Sequence, residues 1–123
     1  MKKESIIREG FYFTDGEKLI QIAGEVPNRP EFIKATTEDL EEIRIRKEKL
    51  YKVRLNEAWI KDFGFSEGGS VFQDDQINSV IRKSGPSYHI LEKTGTEQRR
   101  KSLISVDELQ NYLFEKTGKV PVK

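Results

Sequence analysis

Two short segments of this chain carry both a start and a stop signal for an α-helix. Apolar residues recur every four positions in the first segment, at Leu55, Trp59 and Phe63. This is the spacing of one face of a helix. Asn56 can cap the first turn, and Gly64 stands where a left-handed residue commonly ends a helix. The pattern predicts a short helix at about 56–63.

The second segment begins at Ser105, with Glu108 three residues later. This is the pattern of a capping box, in which the two side chains satisfy the first amides of the helix. An apolar pair flanks the box at the spacing of a hydrophobic staple, Ile104 and Leu109. Gly118 supplies the stop signal, so a helix is predicted at about 106–117.

Much of the remaining chain alternates between apolar and polar residues, which is typical of half-buried strands. The first such region spans 5–26 and contains Asp15 followed by Gly16, a pair that strongly favours a tight hairpin turn. A second hairpin is predicted over 77–93, and a last strand at 101–104. Antiparallel hairpins together with two helices indicate an α+β fold.

Residues 36–54 fit two interpretations. A helical stripe can be drawn through this region, but Ile43 and Ile45 alternate with charged neighbours, as do Tyr51 and Val53. We therefore predict a short helical turn at 37–42 followed by two strands, in preference to one long helix.

The length of 123 residues fits one domain with a single core. Charged residues make up 35% of the chain and hydrophobic residues also 35%, but seven Phe, four Tyr and one Trp argue against disorder. Composition does not shift along the chain. We predict one domain over 1–123, with a β-rich segment at 1–54 and a helix–strands–helix segment at 55–123.

Residue usage excludes several kinds of site. The chain has no cysteine and one histidine, so zinc–thiolate sites, thiol nucleophiles and centres that need two imidazoles are ruled out. Glu67, Asp74 and Asp75 lack the spacing of a calcium loop, and the stretch 65–70 lacks the lysine of a phosphate loop. We interpret these residues as turns and predict neither a metal nor a cofactor. The first eight residues lack the apolar core of a signal peptide, so we expect a cytoplasmic protein with no membrane association.

Two stretches of the chain resemble a family. Residues 55–65 read Leu-Asn-Glu-Ala-Trp-Ile-Lys-Asp-Phe-Gly-Phe, and 106–118 read Val-Asp-Glu-Leu-Gln-Asn-Tyr-Leu-Phe-Glu-Lys-Thr-Gly. Together, over 55–65 and 104–118, they resemble small uncharacterised proteins of Bacteroidetes and their phages. The N-terminal hairpin is similar to the small SH3-like barrel segment with which such proteins open. The resemblance implies an origin in a phage or mobile element, and no catalytic residues.

Charge is strongly patterned although the net charge is +1. Residues 36–42 carry −4, residues 43–54 carry +5 and residues 79–104 carry +4. Basic groups with interleaved aromatic residues are typical of nucleic-acid binding. If the two basic stretches share a face, the candidate binding residues are Arg44, Arg46, Lys52, Arg54, Tyr88, His89, Arg99 and Arg100.

These observations favour a small non-enzymatic protein-binding module, encoded by a phage or mobile element and acting on a host or phage protein. Segregated charge would steer its encounter with the partner. The alternative is a nucleic-acid-binding module that uses basic strands at 43–54 and 80–101. An enzyme that uses carboxylates and serine is a third class. We expect the protein to act in the cytoplasm of a bacterial host, during phage infection.

Overall fold

The chain folds into two compact units, which are described separately: Met1–Val53 and Arg54–Lys123. The computed structural model describes residues 7–68, 71–74, 79–85, 87–94 and 97–122. For residues 74, 93, 94 and 97–99 it describes the backbone only. The division lies one residue before the boundary predicted between the β-rich segment and the helical segment. The prediction of one cooperative domain over 1–123 stays a prediction.

The first unit is a meander of four antiparallel strands. They are β1 (Tyr12–Thr14), β2 (Leu19–Glu25), β3 (Phe32–Thr37) and β4 (Glu42–Arg46), paired in sequence order. A 3₁₀ turn follows at Lys47–Lys49, and Tyr51 then returns to pair with Thr14 of β1. The SH3-like barrel segment expected at the N-terminus stays a prediction.

The β1–β2 turn forms at the predicted Asp15–Gly16 pair. The Asp15 carboxylate accepts hydrogen bonds from the amides of Glu17 at 2.8 Å and Lys18 at 2.7 Å. These two amides favour the ionised carboxylate and hold the pKa of Asp15 below its ordinary value. Gly16 has a φ of +103°, a conformation that glycine adopts without steric cost.

Residues 36–54 contain the end of β3, then β4 and the 3₁₀ turn, and not one long helix, so one of the two predicted strands is present. Ile43 and Ile45 of β4 are half-buried, whereas Arg44 and Arg46 between and after them are exposed. The predicted helical turn at 37–42 is wrong, because this segment is the β3–β4 hairpin turn. The second predicted strand is reduced to isolated bridges at Tyr51 and Arg54.

The second unit packs two helices on a five-stranded antiparallel sheet whose strands follow sequence order. Its elements are α1 (Glu57–Asp62), β5 (Ser66–Gly68), β6 (Val71–Asp74), β7 (Ser79–Ser84), β8 (Ser87–Thr94), β9 (Glu97–Leu103) and α2 (Val106–Thr117). The predicted α+β class and both predicted helices are confirmed. Neither helix is long and apolar enough to cross a bilayer.

Two strand predictions in this unit need correction. The glycine-rich stretch interpreted as a turn contributes β5, which pairs with β6. The last strand, β9, begins at Glu97 and not at residue 101, and it pairs along its length with β8. The residues at 97–100 are all polar and show no apolar alternation from which this strand could be predicted. A strand at the edge of a sheet tolerates such residues.

The first helix is held by the capping groups that its sequence predicts. Asn56 accepts a hydrogen bond from the amide of Trp59 at 3.1 Å. At the other end, Gly64 has a φ of +101° and its amide donates to Lys61 O. The amide of Phe65 donates to Ile60 O, which completes a Schellman motif.

The second helix begins at the predicted residue, but its first turn is capped differently. Ser105 occupies the N-cap position, yet its hydroxyl accepts no hydrogen bond from a backbone amide of the first turn. The hydroxyl lies 2.5 Å from Asp107 Oδ1 and 3.0 Å from Glu108 Oε1. The predicted capping bond is therefore wrong, and so is the staple, because Ile104 is 58% exposed.

We expect Ser105→Ala to lower the free energy of unfolding by about 1–3 kcal/mol. Ser105 and Asp107 are both buried, so the substitution removes a hydroxyl that serves a buried carboxylate. Chemical denaturation followed by circular dichroism measures the change. A loss indistinguishable from zero would show that this hydroxyl does not stabilise the helix start.

Candidate functional site

The five-stranded sheet of the second unit has one face toward the helices and one face without them. The helix-facing positions hold the buried side chains Phe72, Ile81, Tyr88, Ile90 and Leu103. The described contacts of α1 and α2 with the strands also reach helix-facing positions, namely Glu67, Ser79, Lys83 and Glu92.

The opposite positions form what we call the open face. Its described side chains are Ser66, Val71, Gln73, Val80, Arg82, Ser84, Ser87, His89, Leu91, Arg100 and Ser102. None of these side chains is buried. This set carries hydroxyls, an amide and three aliphatic groups between its basic residues.

Charge is segregated between the two faces. By register, the four acidic residues of the described strands fall at helix-facing positions: Glu67, Asp74, Glu92 and Glu97. The open-face set contains Arg82, Arg100 and His89, and none of its positions in the described strands holds an acid. The open face therefore attracts anionic groups, although the whole chain is almost neutral.

A cleft of about 480 Å³ lies on the open face. It is lined by Arg82, Lys83, Ser84, His89, Leu91 and Arg100. Arg82 stands directly opposite His89 across β7 and β8, and Arg100 stands opposite Leu91 across β8 and β9. The half-buried Val80 pairs with Leu91 and forms an aliphatic centre beside these basic groups.

His89 contains an unsatisfied buried atom. Its Nδ1 has no exposed surface and no hydrogen-bond partner, and it is the one such side-chain atom in the described part of the chain. Buried polar atoms are nearly always paired, so this atom is unusual among the described side chains. The imidazole ring also lines the cleft.

The predicted binding residues of the second unit divide between the two faces. His89 and Arg100 lie on the open face. Tyr88 is 5% exposed on the helix-facing side, where burial and then the charge of Glu57 raise its pKa. Tyr88 is thus a core residue, which corrects its assignment to a binding surface. Arg99 pairs with Glu92 in backbone register, and its side chain lies outside the described residues.

The remaining candidates lie at the start of the second unit and in the first unit. Arg54 is exposed, and its backbone forms a bridge with Ser105. Lys52 is exposed in the first unit. Arg44 and Arg46 are exposed on one face of β4. The predicted residues are therefore distributed over both units.

A second basic cluster surrounds Phe32 in the first unit. The guanidinium groups of Arg29 and Arg46 lie 5.0 and 5.1 Å from its ring centroid, within cation–π range. Arg29 is also paired with Glu31 at 2.7 Å. Lys34 is directly opposite Arg44 on the neighbouring strand. Part of the positive charge in this cluster is neutralised internally.

A hydroxyl network that sequence reasoning missed joins the sheet to α2. Ser79 Oγ lies 2.9 Å from Tyr112 Oη, which donates to Glu92 at 3.2 Å. Lys116 forms an ion pair with the same carboxylate. Burial raises the pKa of Tyr112 above its ordinary value, so the phenol keeps its proton near neutral pH. These groups serve to hold the helix on the sheet.

No family model, curated protein or solved structure matches the chain. The described residues contain no group of three or more His, Cys, Asp or Glu that could hold a metal ion.

Proposed function

We propose that the chain is a non-enzymatic protein-binding module and that the open face of its second sheet contacts the partner. The observation that supports this proposal is the composition of the open face. The aliphatic pair Val80 and Leu91 is flanked by Arg82 and Arg100, and the described strands place no acid at an open-face position.

This composition suits a protein partner with an acidic surface. Protein interfaces combine an apolar centre with a polar rim, and arginine is enriched among the residues that contribute most to binding. Two exposed guanidiniums on a face whose described residues include no carboxylate favour rapid encounter with such a surface. The resemblance to proteins of Bacteroidetes and their phages suggests that the partner is a cytoplasmic protein of the bacterial host or of the phage.

The open face is less suited to nucleic acid. Proteins that bind single strands stack the bases on aromatic side chains. His89 is the one aromatic ring among the described open-face side chains, because Tyr88 is buried beneath the helices. The arginines alone would contact phosphates without holding the bases.

Affinity capture from a bacterial host lysate tests the proposal. We expect the tagged chain to retain a protein after nuclease treatment. The double reversal Arg82→Glu with Arg100→Glu should abolish capture, because it places two negative charges on the binding face. The matched reversal Arg44→Glu with Arg46→Glu, on the first unit, should leave capture unchanged.

Capture that survives the first reversal and is lost in the second would reject the open face as the binding surface. Both double variants should fold, because exposed charges contribute little to stability. Circular dichroism of each variant verifies this before the capture is interpreted.

Nucleic-acid binding by the first unit is a second candidate, favoured by the exposed pair Arg44 and Arg46 beside Phe32. For such binding, affinity should fall by about 0.7–0.9 log units per log unit of salt for each phosphate contact. We expect no binding of DNA or RNA at about 50 mM salt, because Glu31 and the acidic 38–42 turn reduce the local field. Salt-sensitive binding that disappears in Arg44→Glu with Arg46→Glu would support the second candidate.

A further inference from the structure

We infer that the cleft of the open face is a carboxylate-binding site, in which Arg82, Arg100 and His89 receive an acidic side chain of the partner. The inference rests on the proposed function and specifies the chemistry of its anchor. It also predicts that binding strengthens as the pH falls, because the imidazole of His89 is part of the site.

The backbone register brings the three basic groups to one place. Arg82 and His89 are directly opposite neighbours, for which Cβ atoms lie about 4.5–5.5 Å apart. Arg100 is on the diagonal from His89, a separation of about 7–8 Å that a long arginine side chain spans. A planar carboxylate matches the fork of a guanidinium and accepts two hydrogen bonds from it.

Arg100 also lines a second pocket, which contains Glu92 and Glu115. Neither Arg82 nor Arg100 forms an ion pair with a carboxylate in the described part of the chain. Lys83, which also lines the cleft, is 4.0 Å from Glu57 and is engaged with α1. The two guanidiniums therefore have their hydrogen-bonding groups available for an incoming anion.

His89 supplies the observation that points to a ligand. Its Nδ1 is buried without a partner, whereas the ring as a whole is only partly buried and lines the cleft. A half-turn of the imidazole about its last side-chain bond exchanges Nδ1 with Cδ2 and brings the nitrogen to the other edge of the ring. With the ring in that orientation and Nδ1 protonated, a carboxylate bound between the arginines would accept its hydrogen bond.

The charges around His89 determine the direction of the pH dependence. From β7 it faces Arg82, from β9 it faces Ser102 with Arg100 on the diagonal, and on β8 its same-face neighbours are Ser87 and Leu91. The described neighbours include no acid. A bound carboxylate reverses this local charge and favours the imidazolium. By linkage, affinity for the carboxylate must then rise as the ring gains its proton.

Proton NMR offers a specific test, because His89 is the one histidine of the chain and its imidazole resonances need no assignment. The probe is a hexaglutamate peptide, which stays ionised between pH 6 and 8. Hexaglutamine and inorganic phosphate are the comparison ligands. We expect hexaglutamate to shift the His89 resonances, and to bind more tightly at pH 6 than at pH 8, by less than the tenfold limit that one unit of linked proton affinity sets.

Matched variants separate the roles of the three residues. His89→Gln keeps a polar side chain that cannot titrate, so it should remove the pH dependence and leave weak binding. Arg82→Ala and Arg100→Ala should each weaken hexaglutamate binding at least tenfold at both pH values. Arg44→Ala, an arginine of the other unit, should change nothing.

The inference is overturned if hexaglutamate leaves the His89 resonances unmoved at pH 6, or if His89→Gln keeps the full pH dependence. It is also overturned if phosphate binds as tightly as hexaglutamate, because the site then recognises anionic charge without selecting carboxylates. Failure here while Arg82 and Arg100 still control lysate capture would leave the proposed function standing. The reverse result would confirm the carboxylate site and reject the open face as a protein interface.

Discussion

Replacing Trp59 with alanine is expected to lower the free energy of unfolding of the second unit by about 3–5 kcal/mol. The indole is 6% exposed, and its ring lies 5.7 Å from that of Phe63 on the same helix. Truncation removes a large apolar surface from the core and leaves a cavity that a short helix cannot close. A loss of this size is a large part of the stability of a small protein.

Far-UV circular dichroism during denaturation measures the loss, because the variant lacks the fluorescent indole. Asp62→Ala is the matched control, since Asp62 is exposed on the same helix and should change stability by less than about 0.5 kcal/mol. In the unaltered chain, native Trp59 should emit at a shorter wavelength than free indole. Emission at the wavelength of free indole would contradict the buried environment.

The helices could be predicted from the sequence because their signals are local. Asn56 and Gly64 each act on amides and carbonyls within a few residues, so spacing alone defines both ends of α1. The role of Ser105 could not be predicted in the same way. Its hydroxyl bonds Asp107, whose carboxylate is buried, and burial depends on elements far along the chain.

The candidate site was only partly predictable, and the reason lies in the pleat of the strands. Successive residues of a strand point to opposite faces. Tyr88 and His89 are adjacent, so the period of two that predicts β8 also places them on different faces. Proximity in sequence therefore does not place these two residues on one binding surface. The backbone positions of Arg99 and Arg100 lie on different faces for the same reason.

Arg82 is not among the predicted binding residues, although the tight hairpin turn indicates its position opposite His89. Ser84 pairs with Ser87 around a two-residue loop, and this register places Arg82 opposite His89. A tight turn fixes the pairing of the strands that it joins. The orphaned Nδ1 of His89 could not be found in this way, because it depends on side-chain packing on the open face.

Replacing Phe13 with alanine is the corresponding test in the first unit. Phe13 is 2% exposed and lies opposite Ile20 across β1 and β2, so the substitution should lower the stability of this unit by about 3–5 kcal/mol. Trp59 is the one tryptophan and belongs to the second unit, so its fluorescence follows that unit during denaturation. The prediction of one domain over 1–123 requires the fluorescence and dichroism midpoints of Phe13→Ala to fall together. The opposite result is a fluorescence midpoint that stays at its original position while the dichroism splits into two transitions. It would make Met1–Val53 and Arg54–Lys123 independent domains, because cooperative unfolding cannot leave one half of a domain unaffected.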